Sequence, residues 1–124
     1  MVKYNAIVEK TKVFALRIIK LYRYLREEKN EYVLSTQILK SGTSIGANVK
    51  EATRGQTKPD FFAKMNIALK EASETEYWLE LLEGSGYIDG ASYLEMDRAC
   101  QEIIKLLVSI TKKQKGESNE GGEI

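Results

Sequence analysis

Glu71 and Glu74 are two carboxyl groups with a spacing that an acid–base pair on a helix could have. Residues three apart share one face of an α-helix, so two carboxyl groups placed in this way can exchange a proton. Such a pair normally acts beside a nucleophile, a histidine or a metal ion. The sequence contains no histidine and a single cysteine. We therefore favour a packing role for these glutamates over a catalytic one.

The lone cysteine, Cys100, offers little further chemistry. It cannot form an internal disulfide, and without histidine the common zinc and iron ligand sets are missing. Cys100 also falls on the apolar stripe of a predicted helix, where a small buried hydrophobic residue is expected. The chain has no phosphate-binding P-loop, and its GTSIG stretch at residues 42–46 lies within a predicted helix with no preceding strand, so it is not a G-x-S-x-G nucleophile elbow. We expect no metal, no cofactor and no enzymatic activity.

Basic side chains are concentrated in the first part of the chain. Residues 1–70 carry 14 Lys and Arg against 6 Asp and Glu, a net charge of +8, whereas residues 71–124 have a net charge of −7. Such charges commonly only solvate helix faces, but the two halves can also attract each other, and the basic half can attract polyanions. The candidate nucleic-acid contacts are Lys10, Arg17, Lys20, Lys50, Arg54 and Lys58.

Three of these basic residues surround a predicted turn with the sequence GQTKP at residues 55–59. Glycine suits a helix C-terminus and proline suits the first turn of the next helix, with Thr57 or Lys58 at the N-cap. The free amide groups of a helix start favour an anion. Asp60 in the same turn opposes one. A phosphate contact and a simple helix cap are both compatible with this pattern.

Four helical segments must position these residues. Apolar side chains recur at alternating spacings of three and four in residues 4–28, 34–54, 60–82 and 92–112. Ser92 and Glu95 form a capping-box pattern at the start of the fourth segment. Short connections predict an all-α domain over residues 1–112, an up-down-up-down, left-handed four-helix bundle. Residues 113–124 have no apolar face and are predicted to be a disordered acidic tail.

Apolar runs in this sequence are short. None approaches the roughly 18 residues that a transmembrane helix needs. The first residues also lack the apolar segment and cleavage site of a secretory signal. We therefore expect a cytoplasmic protein with no membrane partner.

The second helix carries small and polar residues where an apolar seam is expected. Ser41, Ser44 and Asn48 either bond backbone carbonyls inside the bundle or line a polar ligand pocket. Gly42 and Gly46 each cost about 1 kcal/mol relative to alanine in a helix interior, so close approach of a neighbouring helix is expected there. The predicted inward positions are Leu34, Ile38, Ser41, Ile45, Asn48 and Ala52.

The third helix has two stripes. The first, which keeps the heptad spacing, consists of Phe61, Met65, Ala68, Ala72, Thr75, Leu79 and Leu82. The second lies about 100° away, where a monomeric bundle would leave Trp78 at the surface. Buried tryptophan commonly anchors a contact between subunits, so self-association is predicted. The predicted oligomer interface consists of Ile67, Glu71, Glu74, Trp78 and Leu81.

Parts of the second and third helices also resemble a known family. The segments are QILKSGTSIGANVKEA at residues 37–52, FFAK at 61–64 and IALKEASETEYWL at 67–79. They resemble the four helix bundle protein family, which includes proteins encoded by intervening sequences in bacterial 23S rRNA genes. That family is similar to the accessory variability determinants of diversity-generating retroelements. The residues that match its pattern are Gln37, Ser41, Ser44, Asn48, Glu51, Ala68 and Glu74.

The resemblance implies a barrel-like homopentamer of four-helix bundles whose positively charged surface binds RNA or DNA. It also implies that retroelement members bind a reverse transcriptase. The matching residues are then determinants of the bundle and its interfaces. Two functions follow as hypotheses: an oligomeric nucleic-acid-binding module, or a protein-only scaffold that docks a partner such as a reverse transcriptase.

Overall fold

The computed structural model describes the backbone of residues 4–123 and the side chains of residues 4–113. Its elements are the helices α1 (Asn5–Glu27), α2 (Val33–Thr53), α3 (Lys58–Gly84) and α4 (Gly90–Glu123). Each helix packs against the next one, and α4 also contacts α1, though less closely. The predicted all-α four-helix bundle is confirmed, and the described residues contain no strand. The backbone of α4 continues as helix to Glu123, beyond the predicted end at residue 112. The side chains after residue 113 lie outside the described ones, and a disordered tail over 113–124 stays a prediction.

One hydrophobic core joins the four helices. The first stripe of α3 faces it along its whole length, and all seven predicted positions from Phe61 to Leu82 are buried. α1 contributes Ile7, Phe14, Ile18 and Leu25, while α4 contributes Met96, Cys100, Ile103 and Leu107. The heptad spacing therefore predicted the core positions of α3 correctly.

The inward face of α2 differs from the predicted one. Ser35, Gly42 and Val49 are buried, whereas Leu34 and Asn48 are only partly buried. An α-helix with 3.6 residues per turn drifts about 20° per heptad from a strict seven-residue repeat. Because the residues around the glycines are small, the apolar pattern did not fix which neighbouring position faces inward.

The glycines of α2 allow α1 to approach closely, as predicted. A Cβ atom on Gly42 would lie 2.8 Å from Cγ1 of Ile18, closer than real Cβ contacts. A Cβ atom on Gly46 would lie 3.3 Å from the backbone oxygen of Thr11. Packing against α1 therefore requires glycine at position 42 and favours it at position 46.

The α2–α3 turn forms as its sequence predicts. Gly55 follows the end of α2, and its N–H donates to the carbonyl of Ala52 at 3.0 Å. Thr57 is the N-cap of α3, and its hydroxyl accepts the N–H of Asp60 at 3.2 Å. This turn places the end of α2 and the start of α3 at the same end of the bundle.

The start of α4 corrects the predicted capping box. The helix begins at Gly90, and the Asp89 carboxylate accepts the N–H of Ser92 at 2.7 Å. Ser92 is thus a donor inside the first turn. Its hydrogen bonds lower the pKa of Asp89, which shows that the cap binds the ionised carboxylate.

Candidate nucleic-acid and self-association surfaces

The two glutamates of α3 differ in their surroundings. Glu71 is partly buried and Glu74 is exposed. Desolvation and then the charge of Glu74 raise the pKa of Glu71, and Lys70 and Lys40 oppose that rise. Among the described residues, no cluster of Cys, Asp and Glu is arranged to hold a metal ion. Glu71 is therefore a partly desolvated carboxyl group beside an exposed one.

Cys100 is buried in the core, as predicted. Its Sγ atom lies 3.5 Å from the carbonyl oxygen of Ala72 on α3. Burial, followed by the charges of Glu76 and Asp97, raises the pKa of the thiol to about 12. The thiol is consequently protonated at neutral pH and is a poor nucleophile.

The polar residues of α2 are satisfied within the bundle. The hydroxyl of Ser44 donates to the carbonyl of Lys40 at 2.6 Å, and the amide of Asn48 donates to the carbonyl of Ser44 at 2.8 Å. Ser41 is buried beside Thr75 of α3, with their hydroxyl oxygens 2.8 Å apart. These contacts support the packing interpretation over a polar ligand pocket.

The predicted basic residues on α1 face acidic residues on α4. The Lys10 ammonium group forms an ion pair with Glu102. Arg17 donates from Nη2 to Oε1 of Glu95 at 3.1 Å. Lys20 is exposed in a groove lined also by Arg17, Tyr24 and Glu95. α4 therefore offsets part of the positive charge that the sequence assigned to α1.

The other predicted basic residues lie together at the α2–α3 end of the bundle. Lys50, Arg54 and Lys58 are all exposed there. The nearby carboxylate of Glu51 is engaged by Lys64 at 3.1 Å. The structure adds Lys12, which lines an α1–α2 groove together with Lys50. We call Lys12, Lys50, Arg54 and Lys58 the basic end.

Lys12 was not among the predicted site residues. Its contribution depends on the packing of α1 against α2, since 38 positions separate it from Lys50 in the sequence. The only signal in the sequence was its place on the exposed arc of α1. Two exposed carboxylates oppose the basic end: Asp60 in the turn, and Glu9, which lines the same groove as Lys12 and Lys50.

The second stripe of α3 forms a partly exposed band. Ile67 is 41% exposed, Glu74 is exposed, and Glu71, Trp78 and Leu81 are partly buried. The prediction that an isolated bundle leaves Trp78 at the surface was wrong in part, because the side chain packs against the core of its own chain.

The buried part of Trp78 includes a polar atom. Its indole Nε1 is buried and has no hydrogen-bond acceptor among the described residues. The ring of the exposed Tyr77 lies 5.4 Å from the Trp78 ring. This band therefore combines exposed apolar surface with an unpartnered donor.

Exposed apolar side chains also occur on α1 and α4. Leu16 is 59% exposed, and Val13 and Leu94 are each about half exposed. Val13 lines a groove between α1 and α4 together with Phe14 and Ile103, and Leu94 lines a separate groove with Arg17 and Glu95. In the described part of the chain, no helix combines the length and the apolar character needed to cross a bilayer.

Comparisons with known proteins identify the family. The family model described as 23S rRNA-intervening sequence protein matches residues 3–109. A crystal structure from Bacteroides thetaiotaomicron VPI-5482, of a protein of unknown function from the S23 ribosomal protein family, is similar to this chain. The two share 53% sequence identity with a TM-score of 0.87, over 89% of this chain and 98% of that chain. No match was found among curated proteins. On the strength of the family match and the similar fold, this chain belongs to the 23S rRNA-intervening sequence protein family.

Proposed function

We propose that the protein is a non-enzymatic, self-associating helical bundle that binds nucleic acid, RNA or DNA, through its basic end. The observation that carries this proposal is the exposure of Lys50, Arg54 and Lys58 at one end of the bundle while the neighbouring Glu51 is engaged by Lys64. Exposed cations grouped in this way can displace counterions from phosphates. Membership of the intervening-sequence family supports the same function.

The proposed assembly is a barrel-like homopentamer of up-down-up-down, left-handed bundles. Contacts between α1 and α2 support the alternating directions. Gly42 of α2 lies against Ile18 of α1, and Gly46, one turn later in α2, lies against Thr11, which comes earlier in α1. This reversed order is the one that two antiparallel helices have. The second stripe of α3 supplies the proposed contact between copies. In such an assembly the stripe of one copy contacts a different surface of the next copy. The copies form a closed ring when the rotation that relates neighbouring copies adds up to a full turn.

Lys10, Arg17 and Lys20 contribute secondary contacts in this proposal. The ion pairs of Lys10 and Arg17 with α4 involve partly exposed side chains. Exposed pairs of this kind typically contribute about 0–1 kcal/mol. A phosphate can therefore replace Glu102 or Glu95 as the partner at small cost.

The nucleic-acid proposal is tested by gel shift with structured RNA and with duplex DNA at low and moderate salt. The triple variant Lys50→Glu, Arg54→Glu and Lys58→Glu should abolish retention or weaken it severely. The slope of log affinity against log salt should fall by about one for each phosphate that the variant no longer neutralises. The matched control is Arg98→Glu, Lys105→Glu and Lys112→Glu, three exposed reversals on α4.

The control variant should retain more of the binding than the basic-end variant, although both change the net charge by the same amount. Equal losses would show that only total charge matters, which contradicts a site at the basic end. Absence of any retention by the wild-type protein at low salt would refute nucleic-acid binding itself.

The exposed apolar side chains on α1 and α4 support a second candidate, a scaffold that docks a protein such as a reverse transcriptase. Leu16 is 59% exposed on α1 and Leu94 is 53% exposed on α4, and a protein partner could cover either side chain. The test is co-elution of purified reverse transcriptase with the wild-type protein and with the double variant Leu16→Lys and Leu94→Lys. Co-elution that disappears in the variant supports docking, and failure of the wild type to co-elute contradicts it.

A further inference from the structure

Tyrosines and cations alternate around the C-terminal end of α1 and the loop that follows it. Cζ of Arg26 lies 5.2 Å from the centroid of the Tyr22 ring and 4.8 Å from that of Tyr32. Nζ of Lys29 lies 6.0 Å from the centroid of the Tyr24 ring. Two cation–π contacts of Arg26 and one of Lys29 therefore order this surface.

The loop that carries Tyr32 is held firmly by hydrogen bonds. The buried Glu31 carboxylate accepts the backbone N–H groups of Val33, Leu34 and Ser35 at 3.2, 2.9 and 2.7 Å. The Glu31 N–H in turn donates to the carbonyl of Leu25 at 2.9 Å. These bonds fix the backbone on both sides of Tyr32.

Asn30 completes the loop. Its φ of 52° lies in the left-handed region, which asparagine tolerates better than most residues. The hydroxyl of Tyr32 donates to Oδ1 of Asn30 at 3.2 Å. The Tyr32 ring is thus positioned by its own hydroxyl, by Arg26 and by the Glu31 cap.

One ring of each group remains accessible, on different sides of α1. Tyr24 lines a groove toward α4, whereas Arg26, which contacts Tyr32, is two residues further along and so points about 200° away. Tyr24 is 40% exposed and Tyr32 is 51% exposed. Lys20 and Arg23 lie on the same end of α1, where Arg23 is exposed. Glu27 and Glu28 are exposed carboxylates there, and the exposed Glu95 of α4 lines the groove of Tyr24, where Arg17 pairs with it. The carboxylate of Glu31 is used by the backbone. Cations exceed exposed carboxylates around the two accessible rings.

We propose that Tyr24 and Tyr32, with Arg23, Arg26 and Lys29, form a binding platform for single-stranded nucleic acid that curves around the C-terminal end of α1, with one stacking ring on each side. This inference rests on the proposed function and specifies the ligand class of a second site. Unpaired bases stack on exposed aromatic rings and on guanidinium planes, while nearby cations contact the phosphates. Bases in a duplex already stack on each other and cannot use the rings, so the platform selects single strands.

The test is fluorescence anisotropy with a labelled oligouridylate of about 12 nucleotides, within the site sizes usual for single-strand binders. The variants Tyr24→Leu and Tyr32→Leu remove a ring but keep an apolar side chain. Each should raise the Kd for the single strand at least about fivefold, the minimum expected for loss of one stacked base. Binding of a duplex of the same length should not change.

The matched controls are Tyr24→Phe and Tyr32→Phe, which keep the ring and remove only the hydroxyl. Tyr24→Phe should bind as the wild type does, because the stacking surface of the ring is unchanged. Circular dichroism and the thermal midpoint establish that each leucine variant is folded. If a leucine variant loses binding of the single strand and the phenylalanine variant at the same position keeps it, the loss is due to the missing aromatic ring.

The outcomes separate this inference from the proposed function. If the wild-type protein binds duplex but not the single strand, the platform is refuted and the basic end remains. If the leucine variants bind the single strand as tightly as the wild type, or lose duplex binding equally, the platform is likewise refuted. If the wild type binds neither ligand, both proposals fail.

Discussion

Oγ1 of Thr75 on α3 lies 2.8 Å from Oγ of Ser41 on α2, and both residues are buried. The Thr75 hydroxyl is also 2.8 Å from the carbonyl oxygen of Glu71, one turn earlier in its own helix. The Ser41 hydroxyl also donates, over a longer distance of 3.5 Å, to the carbonyl oxygen of Ile38 in its own helix. The two buried hydroxyls therefore form a hydrogen bond with each other across the α2–α3 interface. A purely apolar interface would contain no such polar pair.

We expect Thr75→Val to lower the free energy of unfolding by about 1–3 kcal/mol, because it leaves the Ser41 hydroxyl buried without its cross-helix partner. The double variant Thr75→Val and Ser41→Ala should cost less than the sum of the single variants, since no unpaired hydroxyl remains. Urea unfolding at one fixed protein concentration measures all three, because self-association would make stability depend on concentration. Additive losses would contradict a coupled pair.

Gly42 provides a test of the α1–α2 interface. Gly42→Ala gains about 1 kcal/mol of helix propensity, but its Cβ would meet Cγ1 and Cγ2 of Ile18 at 2.8 and 2.9 Å. Those atoms belong to a β-branched side chain with little rotational freedom, and overpacking typically costs about 1–3 kcal/mol. We expect a net loss of stability in denaturant unfolding.

Gly84→Ala is the matched control for that substitution. Gly84 is the last residue of α3, and a Cβ atom there would meet nothing within 4 Å. The change should therefore be neutral or slightly stabilising. If both alanine variants gain stability, the contact with Ile18 does not require glycine.

The core of α3 was predictable because large apolar residues mark its phase without ambiguity. Phe61, Met65, Leu79 and Leu82 are all buried as expected. In α2 the same reasoning chose Asn48 where Val49 is buried. Small and polar residues dominate that helix, so its orientation depends on how closely α1 can approach, and this is a property of the packed pair.

The candidate site was less predictable than the fold. Arg17 and Glu95 are 78 positions apart, and Lys10 and Glu102 are 92 positions apart. Only the packing of α4 against α1 shows that these cations have acidic neighbours. For the same reason the sequence did not show that Arg26 would lie over the ring of Tyr32, a contact that depends on the conformation of the α1–α2 loop.

Cys100 gives a prediction about alkaline pH. Its folded-state pKa of about 12 lies above the ordinary value of 9.0, so the folded chain retains the proton longer than the unfolded chain does. The corresponding stability is fully present below about pH 9 and is lost as pH rises from there toward 12. The stability of the wild type relative to Cys100→Ala should therefore fall by up to about 1.4 kcal/mol per pH unit in this window.

Urea unfolding of both proteins between about pH 8 and pH 11, a range that brackets the start of this window, measures the difference. Other groups that titrate there cancel in the comparison. A thiol reagent such as Ellman's reagent should label the wild type at mildly alkaline pH only as fast as the protein unfolds. Rapid labelling of folded protein, or a difference in stability that does not change with pH, would show that the thiol is accessible.

The second stripe of α3 gives the prediction on which the proposed assembly depends. Ile67→Lys places a charge in the band without disturbing the core, because Ile67 is already 41% exposed. Light scattering after size exclusion should give the wild type a multiple of the 14.1 kDa chain mass and shift the variant toward 14.1 kDa. Leu16→Lys, a substitution at a residue that is 59% exposed on α1, should keep the wild-type mass.

The single tryptophan provides an independent measure of the same contact. Trp78 lies in the band with a buried Nε1 atom that has no acceptor among the described residues, so a second copy that covers the band changes the surroundings of the indole. Dissociation by Ile67→Lys should therefore shift the Trp78 emission to longer wavelength, while Leu16→Lys should not. A wild-type protein that is monomeric at micromolar concentration would refute the assembly. If Leu16→Lys alone dissociates the protein, the α1 face forms the contact, because a buried charge is tolerated only outside the interface.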